Sequence, residues 1–246
     1  MKSFFIPFII TLLSGLGTGL GGIISVVAKE KSNNFLGLLL GIAAGAMISL
    51  SIIEIIPEAL NYLLQTIRFH NSFLILVFGF IIGTIIIIII NKVTEIKITG
   101  LYKTGIVNMI AVILHNLPEG IIVFMMSTEN LYVGITLAIG IAVHNIPEGI
   151  AIATPIYYST KNRTKSILLA LSSGSVEVIG GILCFFLLKP IINNITIGFV
   201  LSIVGGIMIY LSLYNLIPEA LKYNKKQTFI GLIAGGIIIL ITHLFL

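Results

Sequence analysis

His115 to Gly120 (H-N-L-P-E-G) and His144 to Gly149 (H-N-I-P-E-G) are near-copies, and each sets an imidazole and a carboxylate four residues apart. On a helix that spacing is one turn along one face, and two such faces brought together can hold a divalent metal ion. Asn116 and Asn145 add an amide within the same turn of each copy. The surrounding residues are apolar enough to lie in a bilayer, where an ionisable side chain is costly and so marks function. Pro118 and Pro147 each remove a backbone donor, which frees the carbonyls of Leu114 and Val143 and is expected to bend the helix beside the ligands. Glu177, within the small-residue run S-S-G-S-V-E-V-I-G-G from Ser172 to Gly181, is the natural third carboxylate.

Imidazole and carboxylate ligands together suit zinc, iron(II), manganese or cobalt, with zinc the first choice. No cysteine lies near the motifs, which argues against copper(I), and calcium or magnesium would favour all-oxygen ligation. The structural alternative, a membrane histidine bonded to a neighbouring helix, accounts better for a lone His than for two matched copies with a further Glu. A second, weaker set accompanies the first: Glu54 and Glu58 in E-I-I-P-E, and Asn215 and Glu219 in N-L-I-P-E. Read functionally they mark a way in and a way out; read structurally, Glu58 and Glu219 are interfacial carboxylates after Pro57 and Pro218. His243, near the end of the last apolar run, is expected to be interfacial.

These residues need an apolar scaffold, and the composition provides one. Of 246 residues, 57% are hydrophobic and only 9% charged, whereas an ordinary soluble domain carries roughly a quarter charged. The expectation is therefore a single polytopic membrane domain over residues 1–246, embedded in the lipid bilayer of the cell membrane. The net charge of +5 sits in short loops and reads as a topology signal, so no nucleic acid partner is expected. The single cysteine, Cys184, lies in an apolar run and excludes an intrachain disulfide.

Apolar runs long enough to cross the hydrocarbon core fall at about Phe4–Ala28, Asn34–Leu60, Phe73–Ile90, Gly105–Met126, Tyr132–Ile156, Ser166–Leu188, Ile195–Leu221 and Phe229–Leu246. Eight transmembrane helices and an all-α fold follow. The longest connection, residues 91–103, is expected as a short polar cytoplasmic loop between helices 3 and 4. Eleven of the 14 Lys and Arg fall in the odd-numbered loops, against Lys2, Arg68 and Lys189 on the other side. The positive-inside rule then puts both termini outside.

The chain also repeats internally. S-L-S-I-I-E-I-I-P-E-A-L (Ser49–Leu60) in helix 2 matches Y-L-S-L-Y-N-L-I-P-E-A-L (Tyr210–Leu221) in helix 7, and helix 4 matches helix 5. The matched helices run in opposite directions, so helices 1–3 and 6–8 form an inverted-topology repeat around a central 4–5 pair. Transporters built this way place the substrate site near the bilayer midplane.

Taken together, these features resemble the ZIP (Zrt/Irt-like) family of divalent-metal transporters, and in particular its short prokaryotic members. The likeness covers essentially the whole chain, and the doubled H-N-x-P-E-G is highly specific. Carried over by position, the family's metal site falls on His115, Asn116 and Glu119, on His144, Asn145 and Glu148, and on Glu177. Family members can hold two metals there, bridged by the glutamates of helices 4 and 5. The glutamate of helix 6 is often followed by Pro in relatives, whereas Val178 follows it here, and the histidine-rich cytoplasmic loop of many eukaryotic members is absent. The resemblance further implies alternating access, with helices 1, 4, 5 and 6 moving against a scaffold of helices 2, 3, 7 and 8, and assembly as a homodimer. Zn²⁺ is the expected cargo, with Fe²⁺, Mn²⁺, Co²⁺ and Cd²⁺ as candidates, and no resident cofactor is expected. Acid is expected to weaken loading, because imidazole binds metal only when neutral.

Two other classes compete with a transporter. An intramembrane metalloprotease wants H-E-x-x-H and a di-iron centre wants E-x-x-H, and neither spacing occurs in the motifs, so an enzyme is disfavoured. A metal-selective channel could use the same ligands, and the inverted repeat favours a carrier over it.

Overall fold

The computed structural model describes residues 2–27, 32–188 and 191–245. Eight helices long and apolar enough to cross a membrane account for nearly all of them: α1 (Phe4–Val27), α2 (Asn33–Leu64), α3 (Phe69–Lys97), α4 (Gly100–Glu129), α5 (Leu131–Thr160), α6 (Arg163–Leu187), α7 (Asn194–Tyr223) and α8 (Lys225–Phe245). No strand occurs among the described residues. The expected helix ends at Ala28 and Leu246, and the topology markers Lys29, Lys31 and Lys189, lie outside the described residues.

The expected loop at 91–103 is corrected. Helix α3 continues to Lys97 and α4 begins at Gly100, so only Ile98 and Thr99 connect them. At about 1.5 Å rise per residue, the 29 residues of α3 outrun the hydrocarbon core. The polar residues are thus helix that projects beyond the lipid, steadied there by Lys103 against Glu95 at 2.9 Å. The joint before α5 is a single residue because the sequence caps it, Asn130 accepting from the amides of Tyr132 and Val133, and Asn193 likewise forms a capping box with Thr196 at the start of α7.

Two four-helix groups result. Helices α1, α4, α5 and α6 pack on one another, as do α2, α3, α7 and α8, and the groups meet mainly where α2 crosses α5 and α4 crosses α7. Exchanging 1 with 6, 2 with 7, 3 with 8 and 4 with 5 carries these contacts onto one another: α1/α5 becomes α6/α4, α2/α8 becomes α7/α3, and α2/α5 becomes α7/α4. The repeat read from the sequence is therefore present in the packing. Lipid gives apolar helices no reason to associate beyond close contact and hydrogen bonds, so small residues set the seams. A Cβ on Gly120 would strike the backbone of Glu177, and one on Gly149 the backbone of Thr18. The last glycine of each motif is what lets α6 and α1 approach the ligand-bearing helices.

The helices that carry proline differ in their response. Neither Pro118 nor Pro147 interrupts α4 or α5. In α2 and α7 the turns before Pro57 and Pro218, Ser51–Ile55 and Ser212–Leu216, are instead π-helical, the usual local adjustment around a missing donor. Helix α6 is broken at Ser175, two residues before Glu177, although no proline follows that glutamate.

Candidate metal centre

The paired motifs meet. His115 and Glu119 from α4, with His144 and Glu148 from α5, are all buried. His115 Nε2 lies 3.0 Å from Glu119 Oε1 and 3.0 Å from Glu148 Oε1. Glu119 Oε1 also lies 3.0 Å from His144 Nε2. One ligand atom from each of His115, Glu119 and His144 falls within 4.8 Å of the others. The His144–Glu119 contact is a hydrogen bond, but those of His115 are contacts by distance alone: among the described residues, both ring nitrogens of His115 and both carboxylate oxygens of Glu148 have no hydrogen-bond partner. Buried polar atoms that converge without pairing are rare and costly. Two carboxylates and two imidazoles at such spacing suit a divalent cation placed between them.

The remaining expected ligands are arranged otherwise. Asn116 Nδ2 donates to the Ser173 carbonyl of α6 at 3.2 Å, and Asn145 Nδ2 donates to the Ser14 carbonyl of α1 at 3.1 Å. Both amide oxygens stay buried and without a hydrogen-bond partner among the described residues. Glu177 is fully buried, but its carboxylate is engaged by protein donors: Asn145 Nδ2 reaches Oε1 at 2.5 Å, and the Ser14 hydroxyl reaches Oε2. The structure thus gathers His115, Glu119, His144 and Glu148 into one cluster and sets Glu177 beside it, tied to α1 and α5.

A cavity of about 860 Å³ leads to the cluster. Glu54, Glu58 and Asn61 of α2, Tyr132 at the start of α5 and His243 at the end of α8 line its approach, and His115, Glu119 and His144 form its inner end. All the lining residues at the approach belong to the membrane face on which α8 ends. His243 is therefore more than an interfacial residue: its Nδ1 lies 3.5 Å from Glu54 Oε1 inside the cavity. On the opposite face, Glu219 accepts from Lys222 Nζ at 2.6 Å and from the Tyr223 hydroxyl at 3.3 Å. Asn215 there accepts from Asn91 of α3 at 3.3 Å. Glu54 and Glu58 are thus placed along an open approach, while Asn215 and Glu219 are tied down.

Sequence reasoning missed Ser14 and the Glu54–His243 pairing. A hydroxyl in a membrane helix ordinarily bonds a carbonyl one turn back, as Ser25 and Ser51 do here, so Ser14 carried no mark of its own. The available signal was a likeness between α1 and α6 in which Ser14 and Ser173 correspond.

A family profile described as ZIP zinc transporter matches residues 91–243. The zinc transporter ZupT of Streptococcus mutans is 38% identical, with 98% of this chain and 97% of that protein covered. The ZupT proteins of Chlorobaculum parvum and Clostridium perfringens are 38% and 37% identical, each over 99% of this chain.

Proposed function

We propose that this chain, which belongs to the ZIP zinc transporter family and is on that ground a multi-pass transporter of divalent metal and not an enzyme, moves Zn²⁺ into the cytoplasm through the α4/α5 cluster. The observation that carries the site assignment is the convergence of His115, Glu119, His144 and Glu148 at 3.0 Å spacings, with the side chains of His115 and Glu148 lacking a hydrogen-bond partner among the described residues, at the end of a cavity that His115, Glu119 and His144 line. A hydrated cation enters past Glu54, His243 and Glu58, whose charge and lone pairs ease the loss of its water. It then exchanges the remaining hydration for two imidazoles and two carboxylates. Fe²⁺, Mn²⁺, Co²⁺ and Cd²⁺ fit the same donor set.

Alternating access is the mechanism this arrangement supports best. The cavity ends at the cluster. A cavity that stops at the ligands suits a carrier open on one side better than a continuous pore. Orientation with both termini outside makes the open side the outer one, in keeping with the eleven-to-three split of basic residues. Release inward then requires the group α1, α4, α5 and α6 to move relative to the other four helices, past Asn215 and Glu219. Assembly as a homodimer in the cell membrane belongs to the same reading and rests on the family resemblance.

The test is uptake into proteoliposomes loaded with a metal-sensitive dye, offering Zn²⁺, Cd²⁺, Fe²⁺, Mn²⁺, Co²⁺ and Mg²⁺ to wild type, Glu148→Ala and His115→Ala. Saturable zinc uptake that counter-flow stimulates, with Mg²⁺ excluded and both variants inactive though inserted, is the expected result. Normal uptake by either variant would overturn the site, and non-saturating flux would favour a channel.

A further inference from the structure

Helices α1 and α6 exchange places under the inverted repeat, and they carry a short echo of each other: S-G-L-G-T-G-L-G-G at 14–22 and S-G-S-V-E-V-I-G-G at 173–181. The contacts obey the same correspondence. Asn145 donates to the Ser14 carbonyl and Asn116 to the Ser173 carbonyl. Gly149 abuts the backbone of Thr18, and Gly120 that of Glu177. Ser14 therefore corresponds to Ser173, and Thr18 to Glu177. The symmetry fails at the last pair, because Thr18 carries no charge while Glu177 carries a carboxylate that reaches across to α1 and α5.

We infer that this centre holds one divalent cation, not two, because Ser14 and Asn145 keep the Glu177 carboxylate out of the ligand set. The inference rests on the metal-site reading above. Each oxygen of Glu177 accepts from one protein donor, Ser14 Oγ or Asn145 Nδ2. The Ser14 hydroxyl also lies 2.8 Å from the Thr11 carbonyl, but a carboxylate is the stronger acceptor and takes its proton. The Asn145 amide cannot be turned round in place. Its nitrogen faces two acceptors, Glu177 Oε1 at 2.5 Å and the Ser14 carbonyl at 3.1 Å, which fixes that end as the NH₂ group. An NH₂ group donates and does not ligate. A cation bound through Glu177 would face its hydrogens and would have to break these bonds.

Charge balance agrees. Neutral His115 and His144 with Glu119 and Glu148 present two negative charges, which one divalent ion cancels. Glu177 is meanwhile compensated by two hydrogen bonds rather than by metal. A second ion would bring four positive charges against three carboxylates into a buried site. Ser14 and Asn145 are in this sense positioning residues.

The experiment is equilibrium dialysis of the purified, metal-free full chain against Zn²⁺, with bound metal counted per chain by elemental analysis. Wild type is expected to bind one equivalent that His115→Ala loses. Asn145→Asp replaces the NH₂ donor by a carboxylate and is expected to bind two, returning to one when combined with Glu177→Gln. Ser14→Ala, a milder change, is expected to admit a second equivalent only at higher metal, and Ser14→Thr to suppress it by restoring the hydroxyl. Thermal melting and size exclusion check that each variant is folded; should Asn145→Asp fail that check, the Ser14 pair decides. Two equivalents in wild type, or one in both Asn145→Asp and Ser14→Ala, overturns the inference and leaves the site standing. A wild type that binds no zinc, or an undiminished equivalent in His115→Ala, overturns the site itself.

Discussion

Two pairs of helices in this chain repeat a Pro-Glu motif, and they behave differently. The α4/α5 pair keeps its symmetry across the seam: both histidines and both glutamates are buried, and the cross-helix contacts His115–Glu148 and His144–Glu119 are both 3.0 Å. The α2/α7 pair keeps symmetry in its backbone, with matching π-helical turns before Pro57 and Pro218, but not in its side chains. Glu58 lines a cavity, whereas Glu219 is buried against Lys222 and Tyr223. An inverted repeat with a symmetric centre and unlike ends is what one state of a two-state carrier looks like. On the proposed mechanism the centre must serve both states, so it is symmetric; each end must open in one state and shut in the other.

The comparison breaks first at the centre. Glu119 Oε1 lies 3.0 Å from a histidine of each helix, as His115 Nε2 lies 3.0 Å from a glutamate of each. Glu119→Gln keeps the shape and removes the charge. Losing one partner of a buried charged cluster costs about 3–5 kcal/mol, and at about 1.4 kcal/mol per tenfold zinc uptake should fall at least about 100-fold. Dye-loaded proteoliposomes measure this directly. A loss of only a few-fold would make the centre no more important than the ends, and the contrast would fail.

The seam around the centre comes next. Gly149→Val would drive a branched side chain into the backbone of Thr18, and backbone cannot step aside as a flexible side chain can. Overpacking of this kind costs about 1–3 kcal/mol or more, so the folded yield from detergent should drop sharply. Gly236→Ala meets only the Ser49 hydroxyl and should leave yield unchanged. Equal yields for the two variants would mean that the close approach of α1 to α5 is not needed.

How much of this was legible in the sequence follows the same division. The spans were readable because nothing but helix satisfies the backbone over such long apolar runs. The central cluster was readable because the i, i+4 spacing fixes a shared helical face whatever the neighbours do. Glu177 was readable as buried and charged, but not its partners, since the hydroxyl of Ser14 and the amide of Asn145 reach it through packing between helices. The Glu54–His243 contact was hidden for a related reason. Which end of an inverted repeat is open is a property of a conformational state, and both ends carry I-P-E-A-L.

A smaller effect is expected at the open end. Glu54 and Glu58 stand along the approach rather than at its inner end, so Glu54→Gln and Glu58→Gln should weaken capture more than turnover. The expected result is an apparent KM for zinc raised about 3- to 10-fold with maximal rate little changed, which corresponds to removing binding that ground and transition states share. A collapse of maximal rate would place these residues inside the transport site.

The smallest effect, and the most informative about sign, belongs to the closed end. Lys222 is 65% exposed at its side chain, against 9% for Glu219, and exposed ion pairs contribute only about 0–1 kcal/mol. Lys222→Ala should therefore change uptake by no more than about fivefold. Its direction is the test. The contact joins two residues of one turn of α7, so it neutralises Glu219 rather than tying the two helix groups together. If Glu219 stands on the way out, Lys222→Ala frees its carboxylate for the cation and maximal zinc uptake should rise where release limits turnover, whereas Glu219→Gln should lower it, and Lys222→Ala should add nothing in that background. Independent losses from the two substitutions would instead mean that the pair serves the helix end and not the path. In that case the unlike ends of α2 and α7 would reflect different duties rather than one state of a shared gate.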